Sequence, residues 1–331
     1  MNEPIFIARQ DTLEQEILPA HWLAQYKLFG EESYTFQDKG IWKKLCMSRA
    51  AANDRDMHAE ALEEMLTTFS AEHTGKWMLL VYGMDAAALE GLATMAAIAA
   101  NGTAMAAVAA NALLMHAIAN SETAMQRIAN SQTAMQRVAN NTTAMDAIGR
   151  SRIARDAVQA SPYYNSCIKE NDMAIAKLAV ALANLESARY SGCAGMAADS
   201  TAMTAVAASS TAMTAVAASA TAMGKIAAVD AALSKLAAST TAMDALYARK
   251  KKLNGGSASK SGKFIILEIS ASNAFNTSKY GYATLSDGSK PDWSSYLAKY
   301  AFFRQYPKYA TYMRNDTDSD DYIYYFDIAS P

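Results

Sequence analysis

The chain has 331 residues and a formal net charge of −2, a length that allows two or three domains of ~100–200 residues and a balance that gives no bulk electrostatic pull on nucleic acid. Charged residues make up 19%, below the ~25% of an average soluble domain, while Ala and Met are plentiful. Such a chain buries small side chains and keeps a weakly charged surface, suited to contact with copies of itself.

Residues 1–88 have mixed charge and contain Trp22, Trp42 and Trp77. The start, "MNEPIFIARQDTLEQEILPAHW", lacks the basic residues followed by an apolar run of a secretory signal. "DRDMHAEALEEMLTTFSAEH" predicts an amphipathic helix with Met57, Leu62, Met65 and Leu66 inward, and "KWMLLVY" a buried helix or strand. We read 1–88 as a helical head or attachment domain. His21, His58 and His73 are too scattered to form a ligand set, so neither metal nor cofactor is expected. Cys46, Cys167 and Cys193 have no metal spacing and are expected to be buried thiols. The run from Gly91 to Asn120 has no acidic or basic residue, but it is Ala-rich and interrupted by Asn101, Asn111 and His116. It predicts no membrane insertion.

From residue 89 a ten-residue repeat takes over. Thr-Ala-Met begins at Thr103, Thr123, Thr133 and Thr143, then at Thr201, Thr211, Thr221 and Thr241. An aliphatic residue follows each Met position by three, which places the two on one helical face: Met105 with Val108, Met125 with Ile128, Met135 with Val138 and Met145 with Ile148. The second array repeats this with Met203 and Val206, Met213 and Val216, and Met223 and Ile226. One continuous helix is excluded, because ten residues at ~100° each leave successive Met residues about 80° out of phase. Each unit must stop and restart. Ser121, Ser131, Ser209 and Ser239 stand where N-caps belong, and Asn120, Asn130 and Asn140 where a left-handed C-terminal residue is expected. Helices this short are marginal alone. The expectation is therefore a homotrimeric shaft, with the Met and aliphatic residues as the oligomer core and the Met thioethers filling the axial gaps.

The decads divide into arrays at 89–160 and 201–247, separated by an interruption or joint at 161–200. There "SPYYNSCIKEND" breaks the pattern and "MAIAKLAVALANLESARY" predicts one longer helix. Residues 248–263, "ARKKKLNGGSASKSGK", read as a helix end followed by a basic, flexible Gly/Ser linker. The remainder, 264–331, predicts a small α+β domain: strands in "KFIILEIS", "YGYATLS" and "DYIYYFDIA", and a helix with an irregular continuation in "SYLAKYAFFRQYPKYATYM". Its aromatic residues Tyr280, Tyr282, Trp293, Tyr296 and Tyr300 form a candidate binding surface. "DTDSDDYIYYFD" partly imitates a calcium loop, but Asp321 occupies the position that needs Gly, so an acidic turn is expected.

"SSTAMTAVAASATAM" (209–223) and "NSETAMQRIANSQTAM" (120–135) resemble the Thr-Ala-Met decads in structural proteins of tailed bacteriophages, of the tail-fibre or baseplate-associated kind. The resemblance covers about residues 93–246. It implies a mainly α, non-enzymatic virion protein, assembled in the host cytoplasm and partnered by itself and by other tail, neck or baseplate proteins. A second reading gives the Tyr-rich C-terminal domain a host-surface adhesion role. A depolymerase is disfavoured because 264–331 is small for a catalytic domain and no nucleophile, zinc or phosphate motif is present. A cellular adhesin would need the missing signal segment.

Overall fold

The computed structural model describes residues 59, 62, 63, 66, 67, 74–270, 281–291, 296–316 and 321–331. Most of the segment read as a head domain lies outside them, including Trp22, Trp42, His21, His58, His73 and Cys46. The chain divides into two compact units, Met1–Ile168 and Lys169–Pro331.

In the first unit, "KWMLLVY" falls in helix α1 (Thr74–Tyr82). A short α2 (Ala86–Leu89) follows, and then the decads fold into a run of small helices. These are α3 (Met95–Ala100), α4 (Gly102–Ala110), α5 (Ala112–Ala119), α6 (Glu122–Ala129), α7 (Gln132–Ala139), α8 (Thr142–Arg150), α9 (Arg152–Ala160) and α10 (Tyr164–Cys167). From α3 to α9 the joint between successive helices is one or two residues. Its last residue is extended, as at Asn111 (φ −87, ψ 106) and Ser131 (φ −116, ψ 117). The extended N-cap turns the chain sharply, and α4 and α5 meet at 99°.

From α6 onward these turns stack each helix on the third one before it: α6 on α3, α7 on α4, α8 on α5 and α9 on α6. The path is a three-sided coil that closes a turn every three decads. Its interior takes four positions per helix. In α6 they are Ala124, Met125, Ile128 and Ala129, and in α7 Ala134, Met135, Val138 and Ala139, all 0–5% exposed.

The second unit begins with α11 (Asp172–Leu182), a 3-10 turn (Ser187–Arg189) and α12 (Cys193–Ala198). A coil of the same kind runs through α13 (Ser200–Ala208), α14 (Ser210–Ala217), α15 (Ala220–Ala227), α16 (Asp230–Ala238) and α17 (Thr240–Tyr247). The pairing rule is unchanged: α14 on α11, α15 on α12, α16 on α13 and α17 on α14.

An antiparallel sheet follows, built from β1 (Lys251–Asn254), β2 (Ala258–Ser270), β3 (Gly281–Leu285), β4 (Tyr296–Leu297), β5 (Ala310–Asn315) and β6 (Tyr322–Asp327). Its order is β1-β6-β2-β5-β3, with β4 also on β2. Ile265, Leu267, Phe326 and Ile328, with Phe303 of the short helix α18 (Ala301–Gln305), belong to the same apolar cluster as Met243 and Leu246 of the last coil. The sheet thus seals that end of the coil, as a terminal cap must in a repeat fold. Phe264, Ile266, Met313, Ile323 and Tyr325 form a second core with Phe302.

Several expectations need correction. Met105, Val108, Met125, Ile128, Met135, Val138, Met145, Ile148, Met203, Val206, Met213, Val216, Met223 and Ile226 are 0–1% exposed inside a single chain. Their burial therefore gives no ground for a trimer, because the neighbour each helix needs is the helix three units away. Asn120, Asn130 and Asn140 are not left-handed, with φ near −90 to −102 and ψ of 3 to 6. The left-handed Asn is Asn184 (φ 59), after α11. There Leu185 N–H reaches the Val180 carbonyl and Asn184 N–H the Ala181 carbonyl, the paired closure of a helix end.

The decad frame also outlasts its sequence signature. Ser161 and Asn171 fall on the same ten-residue spacing as Ser151, and Asn171 caps α11 by accepting from Ala174 N–H. The true irregularity is 183–192. Residues 251–263, read as linker, are β1 and the first half of β2. In "SYLAKYAFFRQYPKYATYM" only Ala301–Gln305 is helical, and β4 and β5 take the ends.

Candidate functional site

The recurring polar element is the corner where one helix hands over to the next. Where a Ser stands at the corner, its hydroxyl is used twice. Ser131, Ser151 and Ser239 accept from the N–H groups of Ala134, Ala154 and Ala242. This satisfies donors that a helix start leaves free. The same hydroxyls donate to carbonyls 32 residues earlier: Ser131 to Ala99 (2.6 Å), Ser151 to Ala119 (2.5 Å) and Ser239 to Ala207 (2.5 Å). Ser161 donates to Ala129 in the same way (2.5 Å). Those carbonyls lie at helix C-termini, which have no partner within their own helix. Each hydroxyl therefore closes the start of one helix and the end of another, one coil below.

At two corners a carboxylate takes the place of that carbonyl. Glu63 accepts from Ser121 Oγ (2.5 Å), Thr123 N–H (3.0 Å) and Thr123 Oγ1 (2.5 Å). Glu170 accepts from Ser219 Oγ (3.5 Å), Ala220 N–H (3.2 Å) and Thr221 N–H (2.9 Å). Partial burial pushes both carboxyls up, but the hydrogen bonds to Ser121 and Thr123, and to Thr221 and Ala220, outweigh it. Both are held below their ordinary value. A negative charge at a helix N-terminus is also favoured by the helix dipole.

The second polar assembly lies on the sheet. β6 pairs with β1 through Lys252 opposite Tyr324 and Asn254 opposite Tyr322. It pairs with β2 through Glu268 opposite Tyr324 and Ser270 opposite Tyr322. Directly paired residues share a face, so these six side chains form one polar, aromatic ledge. It continues the face whose Ile265 and Phe326 meet the coil. Glu268 is 8% exposed and accepts from Tyr247 Oη (2.5 Å) and Tyr322 Oη (3.4 Å). Burial, with the adjacent Glu268 carboxylate, raises both hydroxyls above the ordinary tyrosine value. The Tyr322 and Tyr324 rings lie 4.4 Å apart, and Tyr247 meets Tyr324 edge-on at 6.0 Å. Lys250 sits 4.1 Å from the Tyr247 ring and Lys252 5.0 Å from that of Tyr322.

The candidate binding residues do not gather here. Tyr280 and Trp293 lie outside the described residues, and of Tyr296 only the backbone in β4 is described. Tyr282 is half-buried on β3, its ring 5.4 Å from that of Tyr312 and 4.6 Å from Lys290 Nζ. Tyr300 is 6% exposed and donates to Asp244 at the foot of the sheet, so it is a seam residue and not a surface one. The ledge tyrosines were missed, although period-two alternation in "DYIYYFD" puts Tyr322 and Tyr324 on one face.

Among the described residues no group of His, Cys, Asp and Glu is arranged to hold a metal. Cys167 and Cys193 are buried free thiols, and burial together with Asp172 raises that of Cys193. The acidic turn is described only at its ends, where Asp316 pairs with Arg314 (2.5 Å) and Asp327 with Lys251 (3.5 Å). Among the described residues no single helix is long and apolar enough to span a membrane; α4 and α5 pass only as a sharply bent pair. No protein-family model matches the chain, and no curated protein matches it.

Proposed function

We propose that this chain is a non-enzymatic structural protein of a tailed-phage particle, a tail-fibre or tail- or neck-associated part in which the coils serve as a spacer. The observation that supports it is how the repeats use their residues: Met and aliphatic side chains fill the interior of the coil in each unit, and the Ser hydroxyls stitch coil to coil. The likeness of the decads to those of phage structural proteins supplies the setting. Mass spectrometry and antibody-gold labelling of purified particles test it. The expected result is a fixed copy number at one place on the tail apparatus, and absence from washed particles overturns the reading.

A homotrimer, in this reading, is an assembly of finished coils and not a condition for folding. Light scattering on dilute protein should show a helical, cooperatively folded species even where the mass is that of one subunit. A lone subunit without helix would restore the obligate trimer. The ledge of β1, β6 and β2 favours a second reading, in which the C-terminal domain contacts the host surface.

A further inference from the structure

We propose that the ledge formed by β1, β6 and the end of α17 is a binding surface for a saccharide bearing carboxylate groups, such as a uronate polysaccharide. The inference rests on the host-contact reading of the C-terminal domain and is independent of where the protein sits in a particle.

Three features support it. The rings of Tyr322 and Tyr247 are held in place from below, since Glu268 fixes their hydroxyls from a buried position, and the Tyr324 ring packs against both. Preorganised aromatic faces bind at low cost in ordering. Next, the exposed charge beside these rings is positive, and the ledge's one carboxylate among the described residues, Glu268, is buried and engaged by Tyr247 and Tyr322. Lys250 and Lys252 are exposed, and among the described residues their side chains meet the tyrosine rings and no carboxylate. By contrast, Lys251 and Lys299 already pair with Asp327 and Asp244. A carboxylate ligand gives the two ammonium groups a partner and frees the ring faces for the C–H face of a sugar. Finally, Asn254 and Ser270 flank Tyr322 on the same face and supply the donor and acceptor groups that sugar hydroxyls require. An extended peptide is the poorer fit, because β1 guards the sheet edge with consecutive lysines, a usual device against strand addition.

The test uses the full chain, titrated calorimetrically with polygalacturonate, alginate and hyaluronan, with neutral dextran and poly-glutamate as controls. At least one uronate polymer should bind, with dextran silent and poly-glutamate at least tenfold weaker. The Lys250→Ala/Lys252→Ala variant changes only exposed side chains and should fold normally, with affinity down at least tenfold. Tyr322→Leu keeps apolar bulk but removes the ring, and should lose at least fivefold with unchanged circular dichroism. The proposal is overturned if no uronate polymer binds, if poly-glutamate binds equally well, or if the double lysine variant binds like the parent. None of these outcomes touches the particle-labelling result.

Discussion

At the serine corners a single hydroxyl decides how tightly two coils hold together. Ser151 is 2% exposed, caps α9 through Ala154 and reaches down to Ala119. Ser151→Ala removes both bonds and leaves a buried carbonyl without its donor, so it should cost about 1–3 kcal/mol in denaturant unfolding. Ser151→Asn keeps a capping oxygen, as Asn141 does for α8, and should cost less than the Ala variant. Equal losses would show that the cap bond to Ala154 contributes nothing. The carboxylate corners give a signature in pH. Glu63 and Glu170 are held below their ordinary value. Their contribution is therefore present above the unfolded value of about 4.3 and lost as pH falls through the folded one. Glu170→Gln should be less stable than the parent at pH 7, and the gap should narrow towards pH 3. A constant gap would remove the carboxylate from the account.

Among the elements, the decad helices were legible because their signals are local. Ser at the cap, Ala throughout, and Met with an aliphatic residue at i+3 fix where each helix starts and which side it buries. What the repeat does not encode locally is the angle at the joint, and that angle decides whether the partner is a sister chain or the same chain thirty residues on. The extended N-cap turns the path by 99° at α4–α5, and three such turns bring the chain back over itself. β2 was half hidden for a different reason. Its first residues, "ASKSGK", are mostly exposed and polar, so nothing apolar marks them as strand, and only pairing with β5 does. The ledge was illegible as a site because Tyr247, Glu268 and Tyr322 come from three separated segments. α1 carries a test of close approach. A Cβ on Gly75 would stand 1.9 Å from the Leu92 carbonyl oxygen, so Gly75→Ala must push backbone apart. A loss of about 1–3 kcal/mol is expected, and an unchanged Tm would contradict the packing of α1 on the 91–94 turn.

For the molecule as a whole, contacts at a fixed spacing of three helices make stability close to a sum of coils and their neighbours. Inserting a second copy of residues 112–141 after Asn141 returns every cap to its own corner and adds one coil to the first unit. Cooperative unfolding should persist, with the helical circular dichroism signal rising in proportion. Inserting only residues 112–126 leaves the next cap midway along a side and should broaden the transition or abolish folding. Similar outcomes for the two insertions would contradict the three-sided path.

The sheet over the last coil has a further consequence for growth. A stack with a bare final layer is a template, since the next equivalent layer lays down on it whichever molecule supplies it. With Ile265, Phe303 and Phe326 set against Leu246, that landing place is taken, and subunits have no route to add there end over end. Length at this end is therefore written in the gene and does not drift with protein concentration.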